Sequence, residues 1–555
     1  MKRKDFIVLF LVTAVFFAGC IGQKPAVPEK QGGTLIFARS GDAVKLDPAD
    51  VEDGISIDVC SNIYDSLLRF KEGTAEVEPA LATSWQSSSD GLVWTFKLRQ
   101  GVKFHDGTDF KADAVVFSLM RQADKNHPYF KYGQWPYWTY MYTTISNVEA
   151  VDDYTVKITL SEPYAPFLTN MAVFTVAIVS PTAYKKDPDN FFKNPVGTGP
   201  FKFVEWVKDD HVTLAAFDEY WDGRPYLDQL IWKTIPEASI RLAELEKGTI
   251  TGYFGVSPDD ISKIRNNPNL QLLSAPGLNV GYLAMNTEKK PFGDKRIRQA
   301  INYAINKKDI VDNLYRGTGQ VAKNPMPPTL WGYNDAIQDY PYDPAKAKAL
   351  LAEAGYPNGF KTKLWVMPVV RPYMFDPPKI GEAIQSYLKA VGIEAEIVQY
   401  DWGTYLSKTA SGEHEMCLLG WTGDNGDPDN FLYIHFHSSQ AVPPAGNRAF
   451  FKNAQVDDLL IKAQRTYDQA QRAKYYEEAQ VILHEEAPWV CIAHATDFEA
   501  FQKNVNGFVI SPLGIRWFNK VWLTKTPAYA ESSMVNLPTL AFVALLGIFL
   551  LRKNF

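Results

Sequence analysis

The 555-residue sequence predicts an α/β protein, on three observations. Strand-like apolar runs alternate along most of the chain with segments whose apolar residues recur at helical spacing. Between 363 and 421, three such runs are separated by two helical segments, the order that builds a parallel sheet. Glycine, proline and aspartate stand where helix caps and stops require them.

Residues 1–20, MKRKDFIVLFLVTAVFFAGC, set basic residues before an apolar stretch and end on small residues and a cysteine, the layout of an export signal. The tetrad FAGC resembles a lipoprotein cleavage box in which Cys20 becomes the lipidated first residue, with plain signal cleavage or an uncleaved anchor as alternatives. A linker follows over 21–33. From 34 to about 285, TLIFARS (34–40), WTFKLRQGVKF (94–104), YTVKITL (154–160), VTLAAFD (212–218) and LIWKTI (230–235) read as strands. Helices are expected over 110–124 and 239–248, the second closed by Gly248.

After Pro291 helices are expected over 294–305 and 343–355, the latter with Asp343 as N-cap, Pro344 in its first turn and Gly355 past its end. Strands at 363–369, 395–401 and 415–421, joined by helices at 378–392 and 402–412, form a βαβαβ unit. In such units ligands bind along the carboxyl edge of the strands. Arg371 follows the first strand, and GWTGDNGDPDNF (420–431), with Asp424, follows the third. The guanidinium and carboxylate either pair with each other or face a ligand bearing both charges; turn chemistry alone is a third reading of the aspartate cluster.

At the far end a polar spacer (525–534) precedes an apolar run (535–551) suited to a transmembrane anchor, and the basic pair Arg552 and Lys553 predicts a cytoplasmic C-terminus with the body outside. A net charge of −6 without a basic block excludes nucleic acid as a partner. Besides Cys20 there are Cys60, Cys417 and Cys491; the last two sit in strand-like runs and read as buried thiols, with a disulfide between them the alternative. No metal-ligand spacing stands out. His435 and His437, two apart on an expected strand, lack a third and fourth donor, and Asp424, Asp427 and Asp429 lack the spacing of a calcium loop. No nucleophile elbow or HExxH string supports a hydrolase, and His105 and His494 read as packed histidines.

The stretches VEPALATSWQSSSDGLVWTFKLRQGVKFHDG (77–107), NPVGTGPF (194–201), GLNVGYLAMNTEKKPFGDKRIRQAINYAINK (277–307), LWVMPVVRPY (364–373) and GWTGDNGDPDNF (420–431) resemble the family-5 extracellular solute-binding proteins of ABC importers, most closely the dipeptide-binding branch. The resemblance implies a two-lobed periplasmic-binding-protein fold (type II, cluster C). Lobe I would span 34–283 and 496–524, with an extra subdomain over about 66–195, and lobe II 284–495. Two strands near 279–286 and 494–501 would cross between them. It implies no cofactor and no catalysis, but a monomer that closes on a dipeptide or short peptide and docks on permease subunits driven by ATPases. Oligopeptides, glutathione or a nickel complex are the alternatives within the family.

Carried over by motif, Arg371 grips the peptide carboxylate and Asp424 the free amino group, with Pro372, Tyr373, Trp421, Thr422 and Gly423 lining the site. Glu52, Asp53 and Gly54, in VEDGIS (51–56), depart from the family pattern and add negative charge near the amino-group end, facing either the ligand or solvent.

Overall fold

The computed structural model describes residues 32–524. The export signal with Cys20, the 525–534 spacer and the 535–551 anchor lie outside the described residues. Among the described residues, no helix is long and apolar enough to cross a membrane.

The molecule is organised by two long-range strands. Asn279–Met285, NVGYLAM, is buried at every position because it is flanked on both sides, by Met416–Thr422 and by Trp489–Gln502, each antiparallel. Strand Trp489–Gln502 is 14 residues long, about 46 Å at the usual rise per residue. Its first half pairs with Asn279–Met285, and its second half with Leu270–Pro276 and Gly252–Phe254. One strand thereby joins two lobes into a twelve-stranded sheet. Thr34–Arg39, Gln229–Thr234, His211–Ala216 and Phe201–Val207 complete the first-lobe end. A separate four-stranded antiparallel sheet, Ala82–Ser87, Val93–Leu98, Thr155–Leu160 and Ile145–Asp152, lies within the segment expected to be an insertion.

The βαβαβ unit forms as the sequence predicts. Phe360–Trp365 pairs in parallel with Ile393–Val398 on one side and with Met416–Thr422 on the other. The crossovers are helices Pro377–Ala390 and Trp402–Ala410, opened by Asp376 and Asp401, whose carboxylates accept from Lys379 N and Thr404 N. The first strand stops at Trp365 rather than 369. Val366 still donates to Val398, but Pro368 has no N–H to offer a ladder. Likewise the run predicted over 94–104 ends at Leu98, because Gly101 turns the chain at φ +76°. Gly248 (φ +79°) closes its helix as expected, and Asp343 caps Pro344–Glu353 by accepting from Lys346 N at 2.9 Å.

Cys417 and Cys491 are buried free thiols, and no disulfide joins them. Cys417 sits opposite Ala284 and Cys491 opposite Tyr282, so the whole strand Asn279–Met285 stands between them. Two strand spacings are about 9–10 Å, beyond the ~7 Å Cα separation a disulfide tolerates.

Candidate functional site

Where the lobes meet, a cavity of about 190 Å³ is lined from both sides. Lobe II supplies Arg371, Pro372, Tyr373, Trp421, Thr422 and Asp424, and lobe I supplies Glu52, Asp53 and Gly54. Of the residues expected at the site, Gly423 does not line the cavity. Its N–H donates to Leu278 O at 2.8 Å, and a Cβ there would lie 2.7 Å from the Phe431 ring, so it serves the packing of the loop.

Arg371 is set by a tight reversal in which its N–H and that of Met374 each donate to the other's carbonyl, at 3.0 and 2.9 Å. Its guanidinium lies 4.2 Å from the centre of the Trp402 ring and makes no ion pair among the described residues. That cation–π contact orients the planar group while leaving its edge for a bidentate acceptor. Tyr373 is held by two facing glycines. Gly281 and Gly420 pair across neighbouring strands, and a Cβ on Gly420 would come within 2.1 Å of the Tyr373 ring. Tyr315 OH donates to Tyr373 O at 2.8 Å and completes the seat.

Asp424 stands at the end of strand Met416–Thr422. Asn430 organises it: its Oδ1 accepts from Asp424 N and Trp421 Nε1, both at 2.9 Å, and its Nδ2 donates to Asp424 Oδ2 at 3.0 Å. From the other side of the cleft, Tyr137 OH donates to Asp424 Oδ1 at 3.1 Å. Burial pushes the Asp424 carboxyl up to about 6, against the lowering effect of those two donors. Among the described residues no cation is paired with it. Asp424 and Arg371 form no ion pair with one another.

The aspartate cluster divides its labour. Asp427 makes a bidentate pair with Arg472 at 2.7 and 2.8 Å, and Asp429 accepts from Tyr164 OH at 3.1 Å and Gln464 Nε2 at 3.2 Å. Both carboxylates face inward, and Asp429 is raised by burial to about 7. Among the lobe I residues, Asp53 caps helix Gly54–Ile63 by accepting from Ser56 N at 3.0 Å, whereas Glu52 opens to the cleft. Surrounding protein pushes the Glu52 carboxyl upward, and Arg448 opposes the shift.

Sequence reasoning missed Tyr137, Trp402, Arg448 and Arg516, all of which line the cavity. Arg516 is engaged by Asp58 at 2.9 Å and Glu499 at 2.8 Å. Position 58 is 458 residues from its partner, a pairing that no local pattern signals.

His435 and His437 correct the sequence reading. They lie on and just beyond helix Asp429–Phe436, not on a strand, so a spacing of two directs them to different sides. His435 is buried and held neutral, down at about 3 by desolvation, and His437 stacks on Tyr433 and engages Ser439. Among the described residues no group of three or more His, Cys, Asp or Glu is placed to hold a metal ion. His494 and His105 are packed, with a ring nitrogen on Asn279 O and Gly199 O respectively.

The model of the bacterial extracellular solute-binding proteins, family 5, matches residues 76–442. The chain is 43% identical to the dipeptide-binding protein of Escherichia coli, over 88% of its own length and 95% of the relative's. It is 42% identical to heme-binding protein A of Haemophilus influenzae, over 93% and 98%. Among solved structures, an ABC transporter-associated periplasmic binding protein of Helicobacter pylori in complex with the peptide STSA superposes with a TM-score of 0.85 at 41% identity, covering 89% of this chain and 99% of that one. With the two-lobed sheet and the cleft between the lobes, these similarities establish that the chain belongs to the family-5 extracellular solute-binding proteins.

Proposed function

We propose that this protein captures dipeptides outside the cell and delivers them to the permease of an ABC importer. One observation carries the reading: an unpaired guanidinium, Arg371, and an anionic carboxylate, Asp424, face the same cleft from neighbouring loops without neutralising each other. An isolated buried charge is costly, so an enclosed zwitterion needs a partner at each end, and these two side chains supply both. Arg371 meets the ligand carboxylate in bidentate geometry and Asp424 accepts from the ammonium. The relatives carry names of ligands as different as dipeptide and heme, so the cleft's own charges select between them.

An extended peptide lengthens by about 3.4 Å per residue, so a third residue moves one terminus off its fixed partner. The peptide in the Helicobacter pylori relative has four residues, which makes length the property to test. Glu52 and Gly54 border the amino-group end, Pro372, Tyr373, Trp421 and Thr422 wall the site, and Asp53 shapes it through its helix cap. The lobes, 34–283 with 496–524 and 284–495, close about the two crossing strands, with 66–195 as an added subdomain of the first. The protein acts as a carrier without catalysing a reaction. It works as a monomer at the outer face of the membrane, held by the 535–551 anchor, by lipid on Cys20, or by both. Native mass spectrometry of the purified protein with a mixture of di-, tri- and tetrapeptides tests this. Selective retention of dipeptides is expected, and retention of tetrapeptides alone, or of haem with no peptide, overturns the reading.

A further inference from the structure

The cleft holds more positive charge than a simple zwitterion uses. Of its three arginines, Arg516 is occupied by Asp58 and Glu499, and Arg371 is the proposed partner of the ligand carboxylate. Arg448 remains. It lies on the loop that follows His435 and Gly446, and all three residues line the cavity. Its side chain makes no hydrogen bond or ion pair with the described residues, and its Nη1 is buried without an acceptor. Glu52 feels its charge from lobe I but is not within ion-pair distance of it. Lobe closure over a neutral-side-chain dipeptide would enclose this guanidinium with Glu52 as a longer-range counter-charge but with no hydrogen-bonded acceptor, which is unfavourable.

We infer that Arg448 is a second anion-binding residue of the cleft and that the protein selects peptides carrying an acidic side chain. The inference rests on the dipeptide reading above. A side-chain carboxylate supplies Arg448 with a charged acceptor, while Arg371 and Asp424 hold the two termini. Glu52 opposes such a ligand at longer range and thereby tunes the preference.

Calorimetry with the isosteric pairs Ala-Glu/Ala-Gln and Glu-Ala/Gln-Ala tests this on the wild-type protein, R448M and E52Q, with melting curves to verify folding. In at least one order, the glutamate peptide binds the wild type at least about tenfold more tightly than its glutamine counterpart, the effect of one hydrogen-bonded charge. R448M brings that ratio close to one, and E52Q widens it. A wild-type ratio near one in both orders overturns the inference while leaving the dipeptide reading intact. A ratio that survives in R448M also overturns it. Equal losses for all four peptides in R448M and E52Q overturn it too, and assign Glu52 as the partner of Arg448. If no dipeptide binds the wild type, the underlying reading fails and this one with it.

Discussion

Asp424→Asn is the sharpest perturbation, because it removes one charge and almost no volume. Asparagine keeps an oxygen for Asn430 Nδ2 and a second polar atom for Tyr137, so the loop retains its hydrogen bonds and the fold is preserved. What is lost is the counter-charge for a buried ammonium. Removing one partner of such a contact costs about 2–5 kcal/mol, or roughly 30-fold to a few thousand-fold in Kd. The raised carboxyl adds a pH signature. In the free protein Asp424 titrates at about 6. A bound ammonium favours its ionised form and lowers that value, so ligand binding expels a proton at mildly acid pH. Affinity is therefore greatest near pH 7, between the Asp424 value and the ~8 at which a peptide α-amino group loses its proton, and falls by up to tenfold per unit as pH drops below about 6. Calorimetry with Ala-Ala at about pH 7 and pH 5 should show a large gap between wild type and D424N at the higher pH and a smaller one at the lower, with D424N itself nearly flat. An N-acetylated dipeptide, lacking the ammonium, should bind both proteins alike. If D424N binds Ala-Ala at about pH 7 as tightly as the parent, or if the wild type shows no loss on acidification, Asp424 is not the ammonium partner.

Arg371→Ala should weaken zwitterionic dipeptides by about 2–5 kcal/mol and leave C-terminally amidated ones almost unaffected in the same calorimeter. Arg371→Lys should recover only part of the loss, since an ammonium cannot reproduce the bidentate fork and stacks less well on Trp402. Gly420→Ala should displace the Tyr373 ring, whose atoms lie 2.1 Å from the new Cβ, and lower dipeptide affinity more than melting temperature. Stability should also decline as pH rises from about 7 to 8.5. Asp497 and Glu499, buried beside Arg516, are pushed up to about 7 and about 8, above their unfolded values, so the folded state holds protons that the unfolded chain has released. The stability these two groups contribute is present below their unfolded values and lost as pH rises through about 7 and about 8, while the buried histidines, held down at about 3 to 4, contribute the opposite slope below about pH 6.5. Scanning calorimetry between about pH 7 and 8.5, above the range in which the buried histidines act, should show a falling melting temperature, flatter in Glu499→Gln, and a rising one would contradict the assignment.

The parts of this protein that were legible in its sequence are those fixed by neighbours along the chain. The βαβαβ unit could be read because periodicity, caps and crossover handedness are local rules, and they placed Arg371 and Asp424 on one sheet edge. Strand ends were misjudged where one residue decided the matter, as Pro368 and Gly101 did. The buried thiols expected at Cys417 and Cys491 are present, but what keeps them apart is strand order, which the sequence does not display. The site shows the same divide. Three aspartates within six residues look equivalent in GDNGDPDN, yet Asp427 is claimed by Arg472 and Asp429 by Tyr164 and Gln464, which leaves Asp424 to the cleft. Each choice depends on a partner more than thirty residues away. Arg448 escaped notice for the converse reason. An arginine among small and aromatic residues reads as ordinary surface until every candidate acceptor has been assigned elsewhere. Unpaired charge is a property of the whole fold, and the ligand is selected by the charges that the fold leaves over.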